Sequence, residues 1–449
     1  MNKIKTLSSS ALALAPIVGA AAQEKPNVVV IVADDLATNE LGCYGGRNVA
    51  TPNIDRIARE GILFTHNFAS CAMSVPIRAS LYTGLYPARH GSFQNHKTSF
   101  GNIKSITTYL PETGYRVGRT GKRHTTPQRV YNFDEVPGFE VDCVFPSANY
   151  TTGGIRDFIT ASDRPYCLFV CSTNPHVPWT EGDRSSIDSA TITLPPNFVD
   201  NSEGRRLYRN FLAEIGALDE QVGAVIKTLE ETGQLDKTLL VFLGEQGPQF
   251  PFGKWTCYNY GQHSALVARY PAKIKAGTVT DAITQYEDIT PTIIELAGGE
   301  EVKGIDGRSF LPVLFGKQTK HRDYAYGIHN NIPEGAAYPV RSIQDNRYKL
   351  IINLTPEAKY FEKHMMDVEN REQIWASWIE SAESDATALK IVNRFTTRPA
   401  IEFYDLQSDP WELHNLAADP AHAARIANMR AALTAWMTQQ GDTGIEMDK

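Results

Sequence analysis

The chain has 449 residues, of which 42% are hydrophobic and 21% charged, and its formal charge is −7. This is a globular composition able to bury a full core, and the length points to one large domain plus a smaller one. The acidic balance excludes a general electrostatic basis for nucleic-acid binding or for adhesion to an anionic membrane, so an anionic substrate would need positive charge gathered locally.

Residues 1–22 read as a signal peptide. Lys3 and Lys5 supply a basic start, a weakly apolar stretch covers 11–18, and the small residues 19–22 follow. The apolar stretch is too short to span a bilayer, and no other segment reads as a membrane span. A periplasmic or secreted location is therefore expected. The six cysteines do not make a disulfide scaffold. Cys167 and Cys171 share one expected strand, too far apart for a mutual bridge, and mostly buried free thiols are expected.

A short apolar run followed at once by polar residues recurs along the chain. Residues 28–32 lead to Asp34 and Asp35, a weaker run at 115–118 leads to Lys122 and His124, residues 167–170 lead to Asn174 and His176, and 239–243 lead to Glu245 and Gln246. Runs of this kind predict strands buried on both faces of a parallel or mixed sheet. Between them, 52–64 is expected to be helical, with Ile54, Ile57, Ala58 and Ile62 at helical spacing. The clearest helix is 205–232, whose stripe runs from Phe211 to Leu229, with Gly233 as its stop.

This alternation predicts an α/β fold with helices on both sheet faces. In such folds functional groups gather beyond the carboxyl ends of the strands, where the four polar clusters fall. After about residue 316 the texture changes to short strands at 324–328, 338–343, 348–353 and 401–406. A final helix follows near 421–439, with Ile426, Met429, Leu433 and Trp436 facing inward. The expected division is a catalytic domain over 23–318 and a C-terminal subdomain over 319–449, the latter a small antiparallel sheet with a helix.

The segment from Ser74 to Gly84, SVPIRASLYTG, carries the most chemistry. Pro76 suits the first turn of a helix. Ser74 then sits at the N-terminal mouth, where free N–H groups and the helix dipole favour an anion. Arg78 lies one turn on along the same face. A serine N-cap on an ordinary helix would explain Ser74 alone; Pro76, Arg78 and the Thr83-Gly84 ending together favour a functional reading.

In this register the chain resembles the type I sulfatases of the alkaline-phosphatase superfamily, whose signature is Cys or Ser, any residue, Pro, any residue, Arg. The likeness extends through Asp34-Asp35, Thr51-Pro52-Asn53, Tyr86-Pro87-Ala88-Arg89, Thr120-Gly121-Lys122, Asn174-Pro175-His176 and Asp409-Pro410-Trp411-Glu412. Cys71 is out of register and reads as a structural thiol. The resemblance implies an alkaline-phosphatase-like fold and a sulfohydrolase. It implies oxidation of Ser74 to formylglycine by a dedicated maturation enzyme, and a calcium ion held by Asp34, Asp35, Glu245, Gln246 and residue 74. It implies that Lys122 and His124 hold the aldehyde hydrate and take its proton, that His176 and Lys254 clamp the sulfate oxygens, and that His176 protonates the leaving group. Arg78 adds charge to the same pocket, and Arg123 reads as a surface charge. The family more often places Asp followed by Asn or His at 245–246, so Glu245-Gln246 is a departure that lengthens each arm by a methylene.

A weaker likeness to the N-sulfoglucosamine sulfohydrolases, or sulfamidases, rests on 121–124, 130–134, Pro251-Phe252 and 338–342. It implies a sulfated saccharide substrate, a sulfated amino sugar of glycosaminoglycan type, with His90, His96, His329 and Arg341 as sugar contacts. His90 also reads as a helix C-terminal cation, and Arg341 as a surface charge. Two other readings stay open. One is a phosphatase or phosphodiesterase of the same superfamily, which would need a second set of Asp and His ligands that the sequence does not offer. The other is a catalytically impaired glycan binder, motivated by the 245–246 departure.

Overall fold

Residues 25–145, 149–370 and 372–448 are described by a computed structural model; the expected signal peptide lies outside them. The first ten strands, in chain order, are β1 Asn27–Ala33, β2 Ile62–Phe64, β3 Asn67–Phe68, β4 Arg116–Gly121, β5 Asp134–Glu135, β6 Tyr166–Cys171, β7 Thr238–Gly244, β8 Leu266–Arg269, β9 Thr278–Thr280 and β10 Thr284–Gln285. Eight of them make one sheet, in the order β5-β4-β6-β1-β7-β8-β2-β9, while β3 and β10 pair apart. Strands β4, β6, β1 and β7 run parallel, with Gly121 beside Cys171, Cys171 beside Val32 and Val32 beside Leu243. That register brings four carboxyl ends to one edge of the sheet.

The apolar runs are continuous because both sheet faces are covered. Val29, Ile31, Leu168, Val170, Leu240 and Phe242 face one core, filled by the stripe of the helix Ser202–Glu231. The alternate residues Val28, Val30, Val32, Phe169 and Val241 face the other, against Ile77, Leu81 and Tyr82 of the helix Ser74–Thr83. Burial on this scale, at roughly 25 cal/mol per Å² of apolar surface, is what holds the strand ends in place.

The expected single helix over 52–64 is corrected. Helix Pro52–Arg59 stops early, and residues 62–64 become β2, antiparallel to β8. Gly61 allows the change, because a Cβ there would lie 1.9 Å from the Ala268 carbonyl oxygen. The chain therefore joins the sheet where only glycine fits, and tertiary pairing overrides the helical spacing.

Strands β11 Ala325–His329, β12 Val340–Gln344, β13 Tyr348–Asn353 and β14 Ile401–Asp405 form a four-stranded antiparallel sheet in that order. Helix Ala423–Gln440 packs on it through buried Met429, Leu433 and Trp436, with Ile426 half-buried. Trp436 stacks on Tyr326, with ring centroids 4.9 Å apart. All six cysteines are free, four of them buried. No helix among the described residues is long and apolar enough to cross a membrane.

Candidate active site

Backbone hydrogen bonds lace the four strand ends together. Ser172 N–H donates to Val32 O (3.0 Å), Asp34 N–H to Asn174 O (2.9 Å), Lys122 N–H to Cys171 O (2.9 Å) and Glu245 N–H to Ala33 O (2.9 Å). The side chains of Asp34, Asp35, Lys122, Glu245 and Gln246 therefore converge, all of them buried. Asn174 anchors its loop to the helix Ser202–Glu231 by donating to Glu214 and accepting from Gln221 Nε2 at 2.8 Å.

Ser74 opens the helix Ser74–Thr83 after Met73, which makes no side-chain cap. Its N-terminal mouth points at the converged strand ends. Ser74 Oγ lies 3.0 Å from Glu245 Oε2, 3.3 Å from Asp34 Oδ1, 3.2 Å from Lys122 Nζ and 3.3 Å from Gln246 Nε2. Arg78, one turn along, brings Nε to 2.5 Å from Glu245 Oε1. Lys122 Nζ sits 2.5 Å from Asp34, and Lys254 Nζ 2.8 Å from Asp35. Two carboxylates and one ammonium thus contact the hydroxyl, and Arg78 on Glu245 and Lys254 on Asp35 extend the charge network around it.

Burial and charge set the protonation states. Burial works to raise Asp34, but Lys122 overrides it and holds the carboxyl well below the usual range. Burial pushes Glu245 up to about 8, opposed by Arg78 and reinforced by the Asp34 charge. Two like-charged acids in contact split in this way, and of the two Glu245 has the higher proton affinity. Burial, with Lys254 adding to it, pushes His176 down to about 4. Burial, with Lys122 adding to it, pushes His124 down to about 2. His176 Nδ1 lies 2.5 Å from the Val177 carbonyl, which can only accept, so that nitrogen carries a proton and Nε2 is the end facing Asp35, at 3.7 Å.

The oxygen set suits a hard divalent cation. Ligand oxygens of Asp34, Asp35 and Glu245 lie within 4.8 Å of one another, and Gln246 Oε1 is buried without a hydrogen-bond partner. Carboxylates plus a carboxamide oxygen are calcium-type ligands; Cys143 and His176 also approach Asp34, in a second grouping that shares only that carboxylate. With the three carboxylates already balanced by Arg78, Lys122 and Lys254, an added dication would leave the pocket strongly positive toward an anion.

Ser74, His124, His176 and Lys254 line a cleft of about 660 Å³. Four non-glycine residues beside it, Asp35, His96, His124 and Trp255, have positive φ (57°, 60°, 42° and 62°). Each such residue costs on the order of 1–3 kcal/mol, and such strain clusters at functional sites. Trp255 is held by its N–H to Ala72 O (3.0 Å) and by Tyr360 Oη donating to its carbonyl (3.0 Å). Arg123 is half-exposed and pairs with Glu135.

Three of the four expected sugar contacts are not at this cleft. His90 is fully buried, with Nε2 3.2 Å from Ser80 Oγ and Nδ1 accepting from Ser92 N–H at 3.1 Å. Burial pushes it down to about 3, so it is neither a sugar contact nor a helix C-terminal cation. His329 is fully buried beside Tyr360. Arg341 is also buried, donating to Asp442 (2.8 Å) and Asp448 (3.0 Å), which makes it an internal staple of the C-terminal sheet rather than a surface charge. Only His96 lines the cleft. His90→Gln is expected to lower the melting temperature by a few degrees through a lost buried hydrogen bond of about 1 kcal/mol, with KM unchanged. A KM shift in steady-state kinetics would return His90 to the site.

The sequence reading missed Asn95, Trp255, Glu334 and His364, which also line the cleft. Glu334 and His364 come from the C-terminal part of the chain, which folds over the mouth. No motif marks them, and Trp255 carried only its place beside Lys254 as a signal.

Comparison with known proteins agrees with this geometry. A family profile described as "Sulfatase" matches residues 26–299, and one described as "N-sulphoglucosamine sulphohydrolase, C-terminal" matches residues 247–375. An ulvan-active sulfatase of Formosa agariphila is 33% identical over 94% of this chain and 82% of its own length. The human N-sulphoglucosamine sulphohydrolase is 28% identical over 96% of this chain and 93% of its own. A solved structure described as bound to its substrate D-glucosamine-2-N,6-O-disulfate superposes with a TM-score of 0.71 at 22% identity, covering 93% of this chain and 99% of that one. At that identity the superposition shows the shared fold.

Proposed function

This chain belongs to the sulfatase family and is a sulfatase enzyme, and we propose that it removes sulfate from a sulfated saccharide using Ser74 oxidised to formylglycine, with calcium at Asp34, Asp35, Glu245 and Gln246. The observation that carries the reading is the placement of Ser74 Oγ among Lys122, Glu245 and Asp34 at the cleft floor. The saccharide class is supported by relatives named for ulvan and for N-sulphoglucosamine. The oxidation calls for a maturation enzyme, and the reading of residues 1–22 supports export to the periplasm or beyond.

Hydrated formylglycine supplies two hydroxyls on one carbon, so that one can attack sulfur and the other can later expel sulfate, an exit a plain serine lacks. Calcium, held by Asp34, Asp35, Glu245 and Gln246, would supply positive charge that offsets the anionic substrate and favours deprotonation of residue 74. The remaining work belongs to the chain. Lys122, 3.2 Å from Ser74 Oγ, holds the attacking oxygen in place. His124 is kept neutral by burial and Lys122, and the negative charge of a bound sulfate, which raises its proton affinity, readies it to accept the proton released when the second hydroxyl collapses. Lys254 and Arg78 converge on the position of the sulfuryl oxygens, where donors fixed in advance stabilise the charge that builds up. His176 also lines the cleft and turns Nε2 toward Asp35, the carboxylate that Lys254 contacts. An arriving sulfate raises the proton affinity of His176, which readies it to protonate the departing sugar oxygen or nitrogen.

The test is co-expression with a formylglycine-generating enzyme. The Ser74 peptide should become lighter by two hydrogens in a mass spectrum, and calcium-dependent sulfate release from sulfated mono- and disaccharides should rise with the converted fraction. Conversion without any sulfate release would reject the reading.

A further inference from the structure

Beyond the sulfate-cleaving groups, one wall of the cleft carries a built array. Glu334 is almost fully buried, yet it lines the cleft. Both of its oxygens are taken. Oε1 accepts from Asn95 Nδ2 (2.9 Å) and lies 3.4 Å from His96 Nε2, while Oε2 lies 2.8 Å from His364 Nε2 and 3.5 Å from Lys363 Nζ. A carboxylate so saturated has no capacity left for a sugar hydroxyl; it can act only by fixing its partners. Of those partners His96 and His364 line the cleft, with Lys363 next to them on Glu334; the His96, Lys363 and His364 side chains are 56%, 51% and 49% exposed. His364 stacks on Trp255, beside Lys254, and the His96 ring meets that of His124, beside Lys122. The array therefore continues directly from the sulfate-binding cations.

We infer that His96, Lys363 and His364, positioned by Glu334, form a second anion subsite that binds another negative group, a carboxylate or a second sulfate, on the same saccharide. The inference rests on the proposed function and extends it to doubly anionic sugars. Three cationic or potentially cationic side chains face two buried acids, Glu334 and Glu362, the second pushed up to about 7 by burial, so the wall is electropositive when the imidazoles are charged. His364 is packed against Glu334, Glu362, Lys363 and Trp255. Its hydrogen bond to Glu334 raises it above the ordinary imidazole range, with burial and Lys363 opposing. The charged form is therefore present below that raised value and is lost as pH rises through it. The preference for a second anion should fade with it, leaving what Lys363 supplies.

Calorimetry on the full chain carrying Ser74→Ala, which has no hydroxyl to take up a sulfuryl group, with calcium, decides the matter apart from turnover. The probes are a glucosamine monosulfate, a glucosamine disulfate and a monosulfated disaccharide carrying a uronic carboxylate. This chain should bind at least one doubly anionic probe about tenfold more tightly than the monosulfate at mildly acidic pH, and less selectively at alkaline pH. Which probe gains identifies the second anion as sulfate or carboxylate. His364→Gln and Lys363→Ala, both half-exposed positions, should remove most of that gain while leaving monosulfate affinity unchanged. Glu334→Gln should flatten the pH dependence. Equal affinity for all three probes, or equal losses for mono- and dianionic probes in His364→Gln, would overturn the subsite. Absence of sulfate release by the converted protein would instead reject the sulfatase mechanism, and leaves the binding result readable.

Discussion

Ser74→Ala is expected to lower kcat/KM for sulfate release on the order of 10⁴-fold or more, the scale seen when a covalent nucleophile is removed. The fold should survive. Ser74 Oγ makes contacts of 3.0–3.3 Å with groups that hold stronger partners elsewhere: Lys122 keeps Asp34 and Glu245 keeps Arg78. Residue 74 is also the first residue of a helix whose N-cap is Met73, so alanine removes no cap. Thermal melting should move by only a few degrees while activity disappears. The unconverted serine form gives a sharper signature. Its alcohol can take up one sulfuryl group but has no second hydroxyl to expel it. Mixed with substrate, it should release sugar once and retain sulfate on the Ser74 peptide. Repeated turnover by the unconverted form would mean that the hydroxyl acts by another route, as in a phosphatase-like reaction.

Arg78→Ala should abolish activity and also destabilise the protein by about 3–5 kcal/mol when divalent ions are chelated, the usual cost of leaving one member of a buried ion pair without its partner. Arg78 and Glu245 are both fully buried, 2.5 Å apart. Without the guanidinium, Glu245 faces Asp34 with Lys122 as the nearest compensating charge. Calcium binding at the three carboxylates would offset part of that loss. The expected result is a large drop in denaturant midpoint with chelator and a smaller one with calcium added. Equal midpoints in the two conditions would argue against calcium at Asp34, Asp35 and Glu245.

Most of the site's chemistry was legible because it lies where local patterns end. A run such as 28–32 is apolar throughout only if both faces are covered, so it announces a central strand, and the polar pair that follows must sit at its carboxyl end. The same holds at Lys122, His176 and Glu245. Local pattern failed at 62–64, where spacing matched a helix but pairing between Leu266–Arg269 and Thr278–Thr280 prevailed. It failed again for His90, His329 and Arg341, which were chosen for residue type and position in the chain. Type does not say what a side chain will meet. Arg341 meets Asp442 and Asp448, about a hundred residues on, and becomes internal.

The order of buried strands, the helix carrying Ser74 and the residues at four strand ends were thus determined by the sequence alone, because burial on two faces and helix initiation are written in neighbouring residues. The far wall of the cleft was decided only by the tertiary structure. Glu334 and His364 acquire meaning when the C-terminal part of the chain closes over the sheet edge and sets them beside His96 and Trp255. The hydrogen bond from Asn95 to Glu334 joins residues more than two hundred positions apart, and no local periodicity encodes a contact of that range.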